Sequence, residues 1–162
     1  MKTLFLVRHA KSSRDDTTLP DKDRPLNDRG KRDAPRMAKR LAKREVKVDL
    51  ILSSPARRAI TTAQIFADKL DYQLKNIAVD DRLYPGAADD VLNILHKLAN
   101  KWDRVMLVGH NPALADLAHY LSADIIQMPT CAVAEFTFEA KLWQRVDKAT
   151  LTKVVLKLPK KS

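Results

Sequence analysis

The sequence predicts an α/β fold, a three-layer sandwich with a mainly parallel central sheet, helices on both faces and an antiparallel edge strand. Three observations carry this expectation. Short apolar runs alternate with segments whose apolar residues recur every three or four positions, the order of βαβ units. Those runs are nearly continuous, as in strands covered on both faces. The last third switches to period two, in "AVAEFTFE" and "TLTKVVLK", where strands follow one another and at least one lies antiparallel at the sheet edge.

Thr3 to Val7 reads as a buried first strand, with Arg8 and His9 at its exit. A polar loop, "AKSSRDDTTLPDKDRPL", leads into a basic helix that ends near Arg44. Pro35 falls inside that helical pattern, so the helix either kinks there or begins with Asp33 as its cap, and both boundaries stay open. Residues 48–54 form a second buried strand. A helix follows over 56–70, with Ala56, Ala59, Ile60, Ala63, Phe66, Ala67 and Leu70 on one face. "NIAVDDRLY" supplies a short third strand, and 88–100 a helix carrying Val91, Leu92, Leu95 and Leu98. The fourth strand, 104–110, ends like the first in a histidine, His110. Pro112 suits the first turn of the next helix, which reaches about Leu121.

The 162 residues suit one domain over 1–162, and 45% hydrophobic with 31% charged residues is a globular composition. No apolar stretch approaches the roughly 18 residues that span a bilayer, and the N-terminal apolar run is too short for a signal-peptide core. A soluble, cytoplasmic protein is expected. The lone cysteine, Cys131, excludes an internal disulfide framework and a cysteine-cluster zinc site, and reads as a small buried residue near a strand start. A net charge of +10 suggests acidic partners. Its densest run, "RMAKRLAKR" (36–44), reads as the solvated face of an amphipathic helix; no aromatic residue interleaves with the cations, so nucleic acid is not the expected partner. The tail "KLPKKS" reads as a basic, fraying end. With three glycines in the chain there is no phosphate-loop or dinucleotide fingerprint.

Three strand exits hold the chemistry. The first carries Arg8 and His9, the second opens "SSPARRAITTA" with Arg57 and Arg58 at a helix start, and the fourth carries "VGHNP" with His110. In a parallel sheet these exits open on one edge, where ligands bind. Guanidinium groups and a helix N-terminus there make an anion pocket, and a neutral imidazole aligned with phosphorus is a nucleophile. His96 and His119 lie within helices with no partner motif and read as structural. No third ligand sits near His9 and His110 at metal-binding spacing, so no metal or other cofactor is expected. Asp15, Asp16, Asp21 and Asp23 read as a solvated loop run, without calcium-loop spacing.

Arg8-His9-Ala10, "SSPARRAITTA" and "GHNP", in that order, resemble the histidine phosphatase superfamily, with its phosphoglycerate mutase-like fold. The small size and the "DKDRPLNDRG" segment are similar to its SixA-type phosphohistidine phosphatase branch, and the resemblance runs from residue 2 to about 138. It implies that His9 is the histidine transiently phosphorylated, that Arg8 and Arg58 (not Arg57) bind the phosphoryl group, and that His110 contacts its oxygens. Arg24 and Asn27, in "RPLN", are implied at the pocket edge as substrate-binding residues. The chain departs from the family pattern in having Ala10 where most members have glycine. It also has Tyr84 and Pro85 where larger members place the glutamate that protonates the leaving group; Asp80 and Asp81 are close in sequence.

An alcohol leaves phosphorus poorly unless protonated, whereas the imidazole of a phosphohistidine leaves well. The missing glutamate therefore favours a phosphohistidine-bearing protein as the substrate. A phosphatase of small phosphoesters or phosphoanhydrides is the alternative on the same scaffold. A non-catalytic basic module that binds nucleic acid or an acidic partner is the second alternative, and it makes His9 dispensable.

Overall fold

Strand and helix alternate as far as Leu121, and two strands in succession then complete the sheet. The computed structural model describes residues 1–159, so the end of the basic tail, 160–162, lies outside the described residues. The elements are β1 (Lys2–Arg8), α1 (Asp28–Lys43), β2 (Leu50–Ser53), α2 (Arg57–Lys69), β3 (Ala78–Val79), α3 (Ala88–His96), β4 (Arg104–Gly109), α4 (Ala113–Leu121), β5 (Val133–Phe138) and β6 (Leu151–Lys157). They build one six-stranded sheet in the order β3-β2-β4-β1-β5-β6.

β1, β2, β3 and β4 are mutually parallel, while β5 runs antiparallel to β1 and β6 antiparallel to β5. The strand that opposes the parallel set is thus one place in from the edge. β6, outside it, pairs antiparallel with β5 and so returns to the direction of β1.

Successive side chains of a strand point to opposite faces, and the central strands are apolar on both. Phe5, Val7, Ile51, Met106 and Val108 meet α1 and α2, where Met37, Leu41, Ala63 and Phe66 are buried. Leu4, Leu6, Leu52, Val105 and Leu107 meet α3 and α4, where Val91, Leu95, Leu114 and Leu117 are buried. Those are the three layers. The small residues Ala59, Ala63 and Ala67 let α2 lie close against the sheet, and Phe66 fills the space toward α1. Truncating a fully buried phenylalanine of this kind costs about 3–5 kcal/mol.

α1 resolves the question raised by Pro35. The helix begins at Asp28, ahead of the Asp33 cap, because the Asn27 side chain accepts a hydrogen bond from Gly30 N at 2.9 Å and caps it. Pro35 then sits in the helix interior, and the buried face Ala34, Met37, Ala38 and Leu41 carries the helix through it. α3 stops at His96, short of the expected residue 100. The chain turns there to present the carbonyls of Asn100 and Trp102 to the buried ammonium of Lys2, which also pairs with Asp103.

Candidate active site

Register sets the site. Arg8 pairs with Gly109 across β1 and β4, so the next residues, His9 and His110, leave the sheet side by side. Their ring centroids are 5.0 Å apart. β2 is the other neighbour of β4, and Ser54 N donates to Val108 O at its exit. α2 starts three residues later and turns Arg58 inward, whereas Arg57 is exposed. The exits of β1, β2 and β4 thus share one edge because the three strands are adjacent and parallel.

Arg8, His9, Arg24, Arg58 and His110 line one cavity of about 390 Å³, together with Lys11, Arg14, Asp21, Tyr84 and Asn111. Asn27 is not among its lining residues. Its side-chain oxygen caps α1.

Within the cavity His9 has a definite tautomer. Nδ1 lies 2.7 Å from the carbonyl oxygen of Ala10, and a carbonyl only accepts. Nδ1 therefore carries the proton and Nε2 keeps its lone pair. Thr62 braces this turn by accepting from Ala10 N at 3.0 Å while donating to Arg58 O at 2.8 Å, which ties the β1 exit to α2. Burial pushes the His9 pKa down to about 3, with the nearby His110, Arg58 and Arg8 acting in the same direction. Burial, and then Arg58, push His110 down to about 4. Both rings are neutral at neutral pH.

Arg8 donates to Met128 O at 3.2 Å, and Asn111 donates to the same carbonyl at 2.9 Å. Arg24 donates to Ser12 Oγ at 2.7 Å. The buried Nε–H groups of Arg8 and Arg58 have no acceptor among the described residues, as befits donors that an anion completes.

Asp21, read from the sequence as solvated, is instead the anion of this pocket. Its Oδ2 accepts from Tyr84 Oη at 2.5 Å and from Arg58 Nη2 at 3.0 Å, and its Oδ1 accepts from Arg24 Nε at 3.0 Å. Hydrogen bonds from Tyr84, and then from Arg58 and Arg24, hold its carboxyl well below the usual carboxylate range. The same bond raises the pKa of the Tyr84 phenol. Tyr84 also stands 5.4 Å from the His110 ring centroid and 5.8 Å from the Arg58 guanidinium carbon. The only hint of this in the sequence was that "DKDRPLNDRG" belonged to the motif set; nothing singled out one of its aspartates.

Asp80, by contrast, is paired with Arg82 and caps the turn at Asp81–Leu83, and neither Asp80, Asp81 nor Asp23 lines the cavity. His96 and His119 bind the carbonyls of Val146 and Ile125. Cys131 is buried with its thiol pKa pushed up to about 12 by burial, unsuited to nucleophilic work. No cluster of three or more His, Cys, Asp or Glu side chains suited to a metal occurs among the described residues.

The sequence profile of the histidine phosphatase superfamily (branch 1) matches residues 4–84, which include Arg8, His9 and Arg58. The chain belongs to the histidine phosphatase superfamily. An uncharacterised chloroplastic protein of Arabidopsis thaliana is 32% identical over 151 residues, covering 88% of this chain and 69% of that one. Among solved structures, a protein of Agrobacterium tumefaciens assigned to the SixA phosphohistidine phosphatases is 28% identical, with a TM-score of 0.78 over 85% of this chain and 92% of that one. A mycobacterial glucosyl-3-phosphoglycerate phosphatase shares the fold at 18% identity, with a TM-score of 0.65 over 98% of each chain. For this superfamily member, the comparisons support phosphatase activity. No helix among the described residues is long and apolar enough to cross a membrane.

Proposed function

We propose that the protein dephosphorylates protein-borne phosphohistidine through a covalent phosphohistidine at His9. The carrying observation is the His9 Nδ1 to Ala10 carbonyl bond, which leaves an unprotonated Nε2 in a cavity ringed by Arg8, Arg24 and Arg58. Nε2 attacks phosphorus and the bond from phosphorus to the leaving nitrogen breaks. That nitrogen keeps the bonding electron pair, and its ring takes a proton from water. A water molecule then attacks the phosphorus on His9, the second P–N bond breaks, inorganic phosphate departs and Nε2 regains its lone pair. Arg8 and Arg58 are the phosphoryl clamp, since guanidinium groups bind phosphoryl oxygens bidentately and stabilise the charge that builds in transfer. Arg24 binds at the edge, and His110 contacts the phosphoryl oxygens.

The preference for a P–N bond is supported on the leaving-group side. Where a carboxylic acid would protonate an alkoxide stand Tyr84 and Asp21, and their hydrogen bond keeps the carboxyl ionised and the phenol a weaker acid. At neutral pH the carboxylate has no proton to give, and the phenol proton is bound by the carboxylate. The cavity is also open, with Lys11, Arg14, Pro85 and Pro112 exposed at its rim, which suits a group carried on another protein. The rim cations favour the second reading, a small phosphorylated metabolite, to the extent that they bind further anionic groups of that ligand.

Turnover of a phosphohistidine protein domain, phosphoramidate, phosphoserine and small sugar phosphates tests the reading. Hydrolysis of the P–N compounds well ahead of the esters is expected. Sugar phosphates hydrolysed at least as fast as the phosphohistidine domain would replace it with the metabolite reading.

A further inference from the structure

Ser54 is fully buried at the exit of β2. Its Oγ lies 2.7 Å from His110 Nε2 and accepts from Ala56 N at 3.1 Å. From this geometry we propose that Ser54 is a positioning residue that holds His110 as its Nδ1–H tautomer, so that a neutral imidazole offers an N–H donor to the phosphoryl group. The inference rests on the phosphatase reading of the cavity.

The count of protons and lone pairs fixes the direction of the bond. A serine hydroxyl has one proton and two lone pairs. The Ala56 N–H, in the tight turn that leads into α2, occupies one lone pair and holds the hydroxyl in place. Among the described residues the remaining acceptor within reach of the hydroxyl proton is His110 Nε2. Were Nε2 to carry a proton, the hydroxyl would accept twice and its own buried proton would have no acceptor, at a cost of about 1–3 kcal/mol. Oγ–H therefore donates to Nε2, and the ring proton sits on Nδ1. That atom has no hydrogen-bond partner among the described residues, and the ring lines the cavity beside His9.

The surroundings favour a neutral ring. Arg8 from the β1 exit, Arg24 from the loop before α1 and Arg58 from α2 all bear on His110, against the single carboxylate of Asp21. An imidazolium would be a fourth cation in that group, whereas a neutral N–H donor adds hydrogen bonding without further repulsion. Because Ser54 stands four residues before Arg58, one turn sets both the guanidinium and the histidine donor.

The test is the long-range proton–nitrogen correlation of the full-length protein labelled with nitrogen-15 in histidine. The chain has four histidines, and His110→Gln identifies the His110 signals by difference. At pH 7 the wild type should show Nδ1 protonated and Nε2 not. Ser54→Ala should lose that pattern, and its turnover should fall about tenfold, the scale of one lost hydrogen bond, with KM little changed. Ser54→Thr, which keeps a hydroxyl, should retain the wild-type signature; the wild-type spectrum decides alone if that variant fails to fold. An Nε2–H pattern in the wild type, or an unchanged pattern in Ser54→Ala, would overturn the proposal. A general loss of stability would not alter the tautomer. Absence of turnover by the wild type on any of these phosphorylated substrates would instead remove the phosphatase reading and leave the tautomer assignment standing.

Discussion

Arg58 grips Asp21 at two points, donating from Nη1 to the main-chain carbonyl at 2.7 Å and from Nη2 to the carboxylate at 3.0 Å. The guanidinium side chain is 8% exposed and the carboxylate 51%, so the pair reaches from the buried floor of the cavity to its rim. Two hydrogen bonds to one residue fix the plane of the guanidinium as well as its position. Asp21 reaches Arg24 and Tyr84 with the same carboxylate, so three sides of the cavity share one anchor.

Replacing Asp21 with alanine removes the carboxylate bonds to Arg58 and Arg24 together, leaving Arg58 only its bond to the main-chain carbonyl. A hydrogen bond to a charged group is worth about 1.5–3 kcal/mol, and losing the orientation it supplies should lower kcat about 10- to 100-fold. Tyr84→Phe removes one bond and leaves both arginines held, so its loss should be smaller. Faster turnover in Asp21→Ala would mean that the carboxylate competes with the phosphoryl group for Arg58 and does not orient it.

Arg58 and Arg57 are neighbours with opposite orientations, one buried in the cavity and the other exposed. Steady-state rates for the two alanine variants should differ sharply. Arg58→Ala should cost on the order of 10² to 10³, as for other single electrostatic donors to a transition state, and Arg57→Ala far less. A reversed ranking would move the clamp by one residue.

His9→Ala should abolish turnover with circular dichroism unchanged, and wild type quenched during turnover should carry acid-labile, base-stable phosphate. The same residue shapes stability. Its folded pKa of about 3 lies below the 6.5 of an ordinary histidine, so the folded state binds fewer protons between those pH values. Stability is then complete above pH 6.5 and falls as the pH drops toward 3, by about 1.4 kcal/mol per pH unit for this group. Urea unfolding of His9→Asn at pH 7 and pH 5 should show about 2 kcal/mol less loss than wild type over that interval. Equal losses would show that His9 is not held neutral.

A series of aryl phosphates with graded phenol acidity tests the leaving-group side. With Tyr84 and Asp21 locked together, departure proceeds without a proton, and log rate should rise steeply as the phenol becomes more acidic. General acids contribute roughly 10² to 10⁴ in rate, and phosphoserine should trail phosphohistidine by about that factor. A flat series would reveal a working acid, with Asp21 the first residue to replace.

Gly30, in the first turn of α1, lies so close to the loop after β1 that a Cβ would come within 2.2 Å of Lys11 O. Backbone has to move to relieve this. Gly30→Ala should lower the thermal midpoint by several degrees, as a change of about 1–3 kcal/mol does, and should slow turnover as well, because Lys11 and Ser12 line the cavity. Lost stability with unimpaired turnover would show that the strain relaxes away from the site.

Much of the fold was legible because burial on both faces of a parallel sheet leaves continuous apolar runs such as Thr3–Val7 and 105–108, and amphipathic helices between them keep a helical period. His9 and His110 stood out because each lies two residues past such a run, at a strand exit. Arg58 was separable from Arg57 only through its spacing from Ser-Pro in a known motif. What tertiary structure alone decided concerns residues whose partners are remote in sequence or spent locally. Asp21 lies 37 residues from Arg58 and 63 from Tyr84, and its acidic neighbours look the same in composition. Asn27 is a polar residue in a motif, yet its amide oxygen is spent on the α1 cap. Ser54 gained a partner 56 residues away because β2 and β4 happen to be adjacent. Apolar periodicity is a local property of the chain, so sequence determined the layers and the strand exits. A hydrogen bond depends on the position of a second group, and only the register of neighbouring strands and the path of the loops could supply that.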